Sequence, residues 1–242
     1  MPDVILVADS HLRAEDPDLA LFLRLLRQVA VPPAHVYLLG DIFDLWIARQ
    51  GFELSFHRAV IAEIEGLRGV GARISYVQGN RDYFVGERYG TGPFTAVAAD
   101  SLLIEQAGLR IHLAHGDLVN LDDRQYQRWR RFSRSRGVGA AFGALPSGVG
   151  SRLSLYLERK FRTTNARYRR GFPERQAEAY ARRAFREGAQ IVVLGHFHEA
   201  RSEEYPANGG PGGRLFVLPG WREDRRYLRI DPAGKVEFVP FA

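Results

Sequence analysis

Carboxylate, imidazole and amide side chains recur in this chain at the ends of short apolar runs. Asp9 and His11 follow the first run, and Asp41 and Asp44 follow the second. Asn80, Arg81 and Asp82 follow the third, His115 and Asp117 a later one, and His196 and His198 the last. A pair of residues such as Asp-x-His is by itself most often a capping or surface pair, and Gly-Asn-x-Asp is most often a turn. Five such pieces in sequence, each closing an apolar run, form a donor set for divalent cations. Asp9, His11, Asp41 and His198 would surround one ion, and Asp41, Asn80, His115 and His196 a second, with Asp41 bridging. Paired ions of that kind clamp the attacking and leaving oxygens of a displacement at phosphorus.

The elements that must position these groups are legible from hydropathy. Val4–Ala8, Val36–Leu39, Ile74–Val77, Ile111–Ala114, Ile191–Leu194 and Leu215–Leu218 are continuous apolar runs, which predicts strands buried on both faces. Leu19–Val29 and Leu54–Leu67 carry helical spacing between them, and alternating strand and helix predicts an α/β domain. In open α/β sheets the loops at the carboxyl ends of the strands meet in one crevice, where the five motifs would converge. Arg226–Ile230 and Val236–Val239 read as a terminal hairpin. His35, His57 and His112 stand outside the motifs and read as structural or surface residues.

The segment from about 123 to 170 breaks the rhythm. Helical pieces at Tyr126–Arg136 and Val149–Phe161 flank a small-residue stretch, Gly137–Gly148, that reads as flexible. The expected organisation is one domain over 1–242 with a helical cap inserted there. Net charge is +6, but Arg124–Arg186 alone holds 17 basic and 3 acidic residues, leaving the remainder net acidic. Such a segment calls for an anionic partner. Apolar Trp129, Phe132, Leu145, Leu153, Leu155, Tyr156 and Phe161 are mixed in, which suits an acyl-chain groove with a basic rim, or a membrane surface.

Cysteine is absent, which excludes disulfides and thiolate ligands. No apolar run reaches the length of a membrane span, and the N-terminus lacks the form of a signal peptide. A cytoplasmic protein is expected.

The order Asp-x-His, Gly-Asp-x-x-Asp, Gly-Asn-x-Asp, His-Gly-Asp, Gly-His-x-His resembles the calcineurin-like metallophosphoesterases over roughly residues 4–220. The resemblance implies a four-layered αββα sandwich, two divalent cations and an activated water as nucleophile. Arg81 stands where most phosphatases of that family have His. That residue and the stretches Gly40–Ile47, Gly79–Phe84, His115–Asp117 and Asp122–Gln127 resemble the UDP-2,3-diacylglucosamine diphosphatases of lipid A synthesis, with Ala144-Leu145-Pro146 and Arg152 falling in their lipid-binding insertion. The chain departs from them at Gly195-His196-Phe197-His198-Glu199-Ala200, where they read Gly-His-Thr-His followed by Arg-Pro. By this resemblance Mn²⁺ is the expected cation. Asn80, Arg81 and His196 would act in catalysis, and Asn80, Arg81, Asp123, Tyr126 and Asn165 would bind substrate. The substrate would be a nucleotide-sugar glycolipid met at the inner leaflet, placing the protein peripherally on the cytoplasmic face. Arg81 has a physical rationale: a departing phosphate monoester needs charge stabilisation more than a proton. A hydrolase of another nucleotide diphosphate or phosphodiester stays open, as does a nuclease using the basic cap, although nucleic acid is not the preferred partner.

Overall fold

The computed structural model of the chain describes residues 2–120, 122–165, 171–207 and 210–241, and for Ser147 and residues 161–165 the backbone alone. It runs through β1 (Val4–Val7), α1 (Asp18–Val29), β2 (His35–Leu38), β3 (Trp46–Ile47), α2 (Ser55–Gly69), β4 (Arg73–Val77), β5 (Asp82–Tyr83) and α3 (Val85–Tyr89). Next come β6 (Ala96–Ala98), β7 (Ser101–Gln106) and β8 (Leu109–Ala114), then the helices α4 (Arg124–Ser133), α5 (Arg136–Gly143) and α6 (Ser147–Asn165). The chain returns through α7 (Glu174–Arg186), β9 (Ile191–Leu194), β10 (Arg201–Tyr205), β11 (Gly213–Val217), α8 (Trp221–Asp224) and the hairpin β12 (Arg226–Ile230)–β13 (Val236–Pro240).

Two sheets carry the domain. The first has the order β13-β12-β1-β2-β4-β6 and the second β10-β11-β9-β8-β7. Strands β1, β2, β4 and β6 run parallel, as do β8, β9 and β11. The apolar runs are continuous because each face of these strands meets a different core. Ile5 and Val7 face α1 and α2, while Val4, Leu6 and Ala8 face the second sheet. Ile191 and Val193 face the first sheet, while Val192 and Leu194 lie under α7. The layers are therefore helix, sheet, sheet, helix. Helix α1 buries Phe22, Leu25, Leu26 and Val29, one stripe at helical spacing. Helix α7 buries Ala177, Ala181 and Ala184, whose small side chains bring its axis close to the sheet and leave its arginines outside.

The expected flexible stretch at 137–148 is a correction: residues 136–143 form α5. Ser135 caps it, its side chain accepting from Val138 N at 3.4 Å. At Gly139 the lack of a side chain serves close packing, since a Cβ there would stand 2.6 Å from Arg49 Nη2 and 3.0 Å from the Phe84 ring. Helices α5 and α6 and the turn between them join the core through Val138, Phe142, Leu145, Leu153 and Leu157, which pack on Leu45, Ile47, Phe52, Tyr83 and Phe84.

His57 of α2 is wholly buried between Phe43 and Phe56. Its Nε2 donates to Leu45 O at 3.0 Å and its Nδ1 accepts from Leu54 N at 3.0 Å, so the neutral ring pins the Asp41–Leu45 loop. Burial pushes its pKa down to about 3. Below pH 6.5 the unfolded chain takes up a proton that folded His57 refuses, so stability falls as pH drops from 6.5 toward 3. Between pH 7 and 5 the wild type is expected to lose about 2 kcal/mol more stability than His57→Gln, at about 1.4 kcal/mol per pK unit. Denaturant unfolding at both pH values measures this, and equal losses in the two proteins would refute it.

Candidate metal centre

All seven predicted metal-binding residues follow carboxyl ends of parallel strands. Asp9 and His11 follow β1, Asp41 follows β2 and Asn80 follows β4 in the first sheet. His115 follows β8, and His196 and His198 follow β9, in the second. Five of the seven take left-handed backbone: Asp9 (φ 54°), His11 (φ 44°), Asp41 (φ 51°), His196 (φ 72°) and His198 (φ 56°). Such conformations cost about 1–3 kcal/mol each and persist where the surroundings over-determine them. Here the surroundings are a continued ladder. Asp9 N donates to Gly40 O at 3.2 Å, His11 N to Asp41 O at 3.1 Å, and Leu12 N to Ile42 O at 2.8 Å. Between the sheets, His196 N donates to Asp9 Oδ2 at 2.7 Å.

The donors fall into two groups, Asp9–His11–His198 and Asp9–Asp41–His115, with the donor atoms of each within 4.8 Å of one another. In the first, His11 Nε2 and His198 Nε2 face each other at 3.1 Å, while Asp9 Oδ1 lies 3.7 and 3.5 Å from them. The far nitrogens face carboxylates: His11 Nδ1 is 3.4 Å from Asp44 Oδ1, and His198 Nδ1 is 3.5 Å from Glu223 Oε2. A proton held on each Nδ1 leaves two Nε2 lone pairs and a carboxylate converging on one point, an arrangement that a cation satisfies. Asp9 Oδ1 is buried with no hydrogen-bond partner among the described residues, as such a ligand atom would be.

The second group repeats the pattern. His115 Nδ1 donates to Leu39 O at 2.7 Å, and its Nε2 lies 3.0 Å from Asn80 Oδ1 and 3.6 Å from Asp41 Oδ2. Burial opposes charge on His115, but Asp41, Asp9 and Asp117 outweigh it and push its pKa up to about 9, so Nε2 carries a proton that a bound cation would displace. The ring of His196 meets that of His115 edge-on at 5.1 Å. Asp9 has a donor atom in both groups, and Asp41 stands between Asp9 and His115 in the second. Asp41 Oδ1 accepts from Arg81 N at 2.8 Å, which turns that oxygen toward the Asn80 loop.

No protein-family model matches the chain. The UDP-2,3-diacylglucosamine hydrolase of Neisseria meningitidis serogroup B is 31% identical over 244 residues, covering 99% of this chain and 98% of that protein. The protein of that name from Serratia proteamaculans is 26% identical over 240 residues, 99% of each chain. The chain belongs to the UDP-2,3-diacylglucosamine hydrolase family. Among solved structures, Vps29 of Chaetomium thermophilum superposes with a TM-score of 0.51 at 10% identity over 99% of this chain and 97% of that one. An archaeal phosphodiesterase does so with a TM-score of 0.50 at 13% identity over 99% of both. Both show the fold, the calcineurin-like sandwich.

The remaining candidates of this family member lie at the rim. Arg81 Nη1 donates to Asp44 O at 2.9 Å and Arg81 Nε lies 3.8 Å from Asp41 Oδ2, so the guanidinium borders the second group. Asp82 is engaged elsewhere in the interior. Asp123 caps α4, accepting from Tyr126 N at 2.8 Å, and the Tyr126 hydroxyl donates to Asp117. Asp117 also accepts from Arg130 Nε at 3.2 Å; its charge acts on His115 through space, while Leu39 O is the hydrogen-bond acceptor that orients the ring. The side chain of Asn165 lies outside the described residues. The motifs gave no sign of Arg134, whose guanidinium reaches from the end of α4 to Gly79 O, nor of Glu223. No helix among the described residues is long and apolar enough to cross a membrane.

The turns at Gly40 and Gly79 pass so closely that a Cβ on Gly79 would stand 2.3 Å from Asp41 Oδ1 and 2.8 Å from Asp41 N. Gly79→Ala is therefore expected to weaken divalent-cation binding by at least about tenfold. Gly66→Ala, where nothing lies within 4 Å, should leave it unchanged. Calorimetric titration compares the two, and wild-type affinity in Gly79→Ala would show that this approach does not fix Asp41.

Proposed function

We propose that the chain hydrolyses the diphosphate of UDP-2,3-diacylglucosamine to UMP and 2,3-diacylglucosamine 1-phosphate, with two divalent cations held by Asp9, His11, Asp41, Asn80, His115, His196 and His198. The end-to-end likeness to relatives of that name, at 31% identity, carries the reading. Mixed imidazole, carboxylate and amide donors without thiolate suit Mn²⁺. Bound cations would supply Lewis acidity at the phosphoryl oxygens and acidify a water.

The chain's own groups do the rest. Water adds at one phosphorus and the P–O–P bond breaks, leaving a phosphate monoester on each product. Asn80, Arg81 and His196 border the place where the charge develops. The Arg81 guanidinium, steadied by Asp44 O and Asp41, is the fixed positive group for the non-bridging oxygens. On the cap segment, residues 123–170, Asp123 and Tyr126 would contact the nucleotide and sugar, and Asn165 would also bind the substrate.

The substrate's acyl chains place the enzyme peripherally on the cytoplasmic face of the inner membrane. The surface that suits this is on α4 and α6, where Trp129 (48%), Phe132 (63%) and Tyr156 (60%) are exposed among arginines. Basic residues there would meet anionic lipid, and the rings the headgroup boundary.

The deciding assay sets Mn²⁺-loaded protein on UDP-2,3-diacylglucosamine against a UDP-sugar without acyl chains and against a nucleic acid. Turnover of the acylated diphosphate alone is expected, and turnover of nucleic acid in its place would overturn the reading. Arg81→Ala should lower kcat about 100-fold, or about 3 kcal/mol. Arg81→His should fail to restore it, because the leaving group needs no proton; full recovery would remove the charge-stabilising role. A Trp129→Ser/Phe132→Ser double variant should bind anionic phospholipid vesicles at least about tenfold more weakly, from the loss of two buried rings. Unchanged co-sedimentation would place the membrane contact elsewhere.

A further inference from the structure

The first group of donors depends on a residue from outside the five motifs. Asp44 and Glu223 face the outer nitrogens of His11 and His198 at 3.4 and 3.5 Å, symmetrically about the facing Nε2 atoms. Asp44 comes with the Asp41 loop. Glu223 comes from α8, one turn of helix following β11.

Three ties hang α8 on the site. Trp221 is buried against Phe22, with ring centroids 5.2 Å apart, and its amide donates to Ala8 O at 3.3 Å. Arg222 Nη2 donates to His11 O at 2.8 Å, and its other nitrogen pairs with Asp18 at 2.8 Å. The third tie is Glu223 itself. The space where it meets His198 exists because residue 220 has no side chain. A Cβ on Gly220 would stand 2.7 Å from His198 Nδ1 and 2.3 Å from Glu223 Oε2.

We infer that Glu223 is a positioning residue for one of the two cations: it holds the His198 proton on Nδ1 and turns the Nε2 lone pair toward the point shared with His11 and Asp9. A histidine ligand is fixed in tautomer and made more basic by such a carboxylate. Asp44 does the same for His11, so a matched pair of carboxylates sets this group. The inference rests on the two-metal reading proposed above.

Mn²⁺ titration of the full chain, by calorimetry and electron paramagnetic resonance, tests it with Glu223→Ala, Glu223→Gln and Gly220→Ala. The wild type should bind two equivalents. Glu223→Ala should weaken one of them roughly 10- to 100-fold and leave the other unchanged. At intermediate Mn²⁺ its spin-coupled signal should give way to that of an isolated ion. Glu223→Gln, which keeps an oxygen acceptor without the charge, should fall between, and Gly220→Ala, whose methyl would occupy the meeting place, should behave as Glu223→Ala. The melting temperature of the metal-free protein should stay at the wild-type value. Two equivalents at wild-type affinity in Glu223→Ala would overturn the role. So would equal weakening of both equivalents with a lowered metal-free melting temperature, which marks a structural residue. A wild type binding a single equivalent would instead sink the two-metal reading, and the positioning role with it.

Discussion

Asp82 accepts three hydrogen bonds in the interior, from Gly79 N at 2.7 Å, Tyr76 OH at 2.9 Å and Asp41 N at 3.1 Å. A carboxylate taken out of water costs several kcal/mol. Bonds to a charged acceptor contribute about 1.5–3 kcal/mol each, which offsets that cost only if all three are made. Burial, with the neighbouring Asp41 charge, pushes the Asp82 pKa upward, and the two backbone amides pull the other way. The balance draws the Gly40–Asp41 turn against the Gly79–Asn80 turn. Strands β3 and β5 then pair in parallel, Trp46 N donating to Arg81 O at 2.9 Å. The positions of Asp41, Asn80 and Arg81 all descend from that buried carboxylate.

A similar economy joins the two sheets. The apolar layer between them includes Ala8 and Leu39 of the first sheet and Leu218 of the second. Beyond it two polar bonds tie the sheets, His115 Nδ1 to Leu39 O and His196 N to Asp9 Oδ2. Asp9 thus directs one oxygen to the opposite sheet and leaves the other facing His11 and His198. Left-handed Asp9 and His196 are held to each other by the last of these bonds, which leaves those two turns little freedom to relax.

The central strands were legible because both their faces are buried, which makes each run apolar without interruption. Strands β6, β7 and β10 were not: in β7 exposed and partly covered residues alternate through Ser101-Leu102-Leu103-Ile104-Glu105, and β10 carries Glu203 and Glu204. The donor residues were visible through their order along the chain. Their left-handed backbone was invisible, because Asp and His tolerate it without requiring it. Asp82 looked like a turn residue, and nothing in Trp221-Arg222-Glu223 marks a one-turn helix that reaches His11 and His198. Gly137–Gly148 was misread because glycine and alanine signal looseness by composition, whereas Gly139 is small so that α5 can lie against Phe84. His57 is a buried strut for the Asp41 loop, a role that depends on a contact with Leu45 that local pattern does not contain.

The donor set also bears on chemistry through charge. Only Asp9 and Asp41 among the seven are anionic, so two bound dications would keep much of their positive charge. The carboxylates around them are engaged in other pairings: Asp44 and Glu223 with imidazole nitrogens, Asp82 with amides, and Asp117 with Tyr126 and Arg130. Each orients a group instead of neutralising an ion. Arg81 adds positive charge at the rim, and Arg134 adds more from α4. Such a site is incomplete without an anion, and a diphosphate brings negative charge that grows on the non-bridging oxygens as the bond to the leaving phosphate breaks. Neutral imidazole ligands and fixed guanidinium groups therefore work in one direction: they leave electrostatic stabilisation unsatisfied in the resting site and available at the phosphoryl group where charge accumulates.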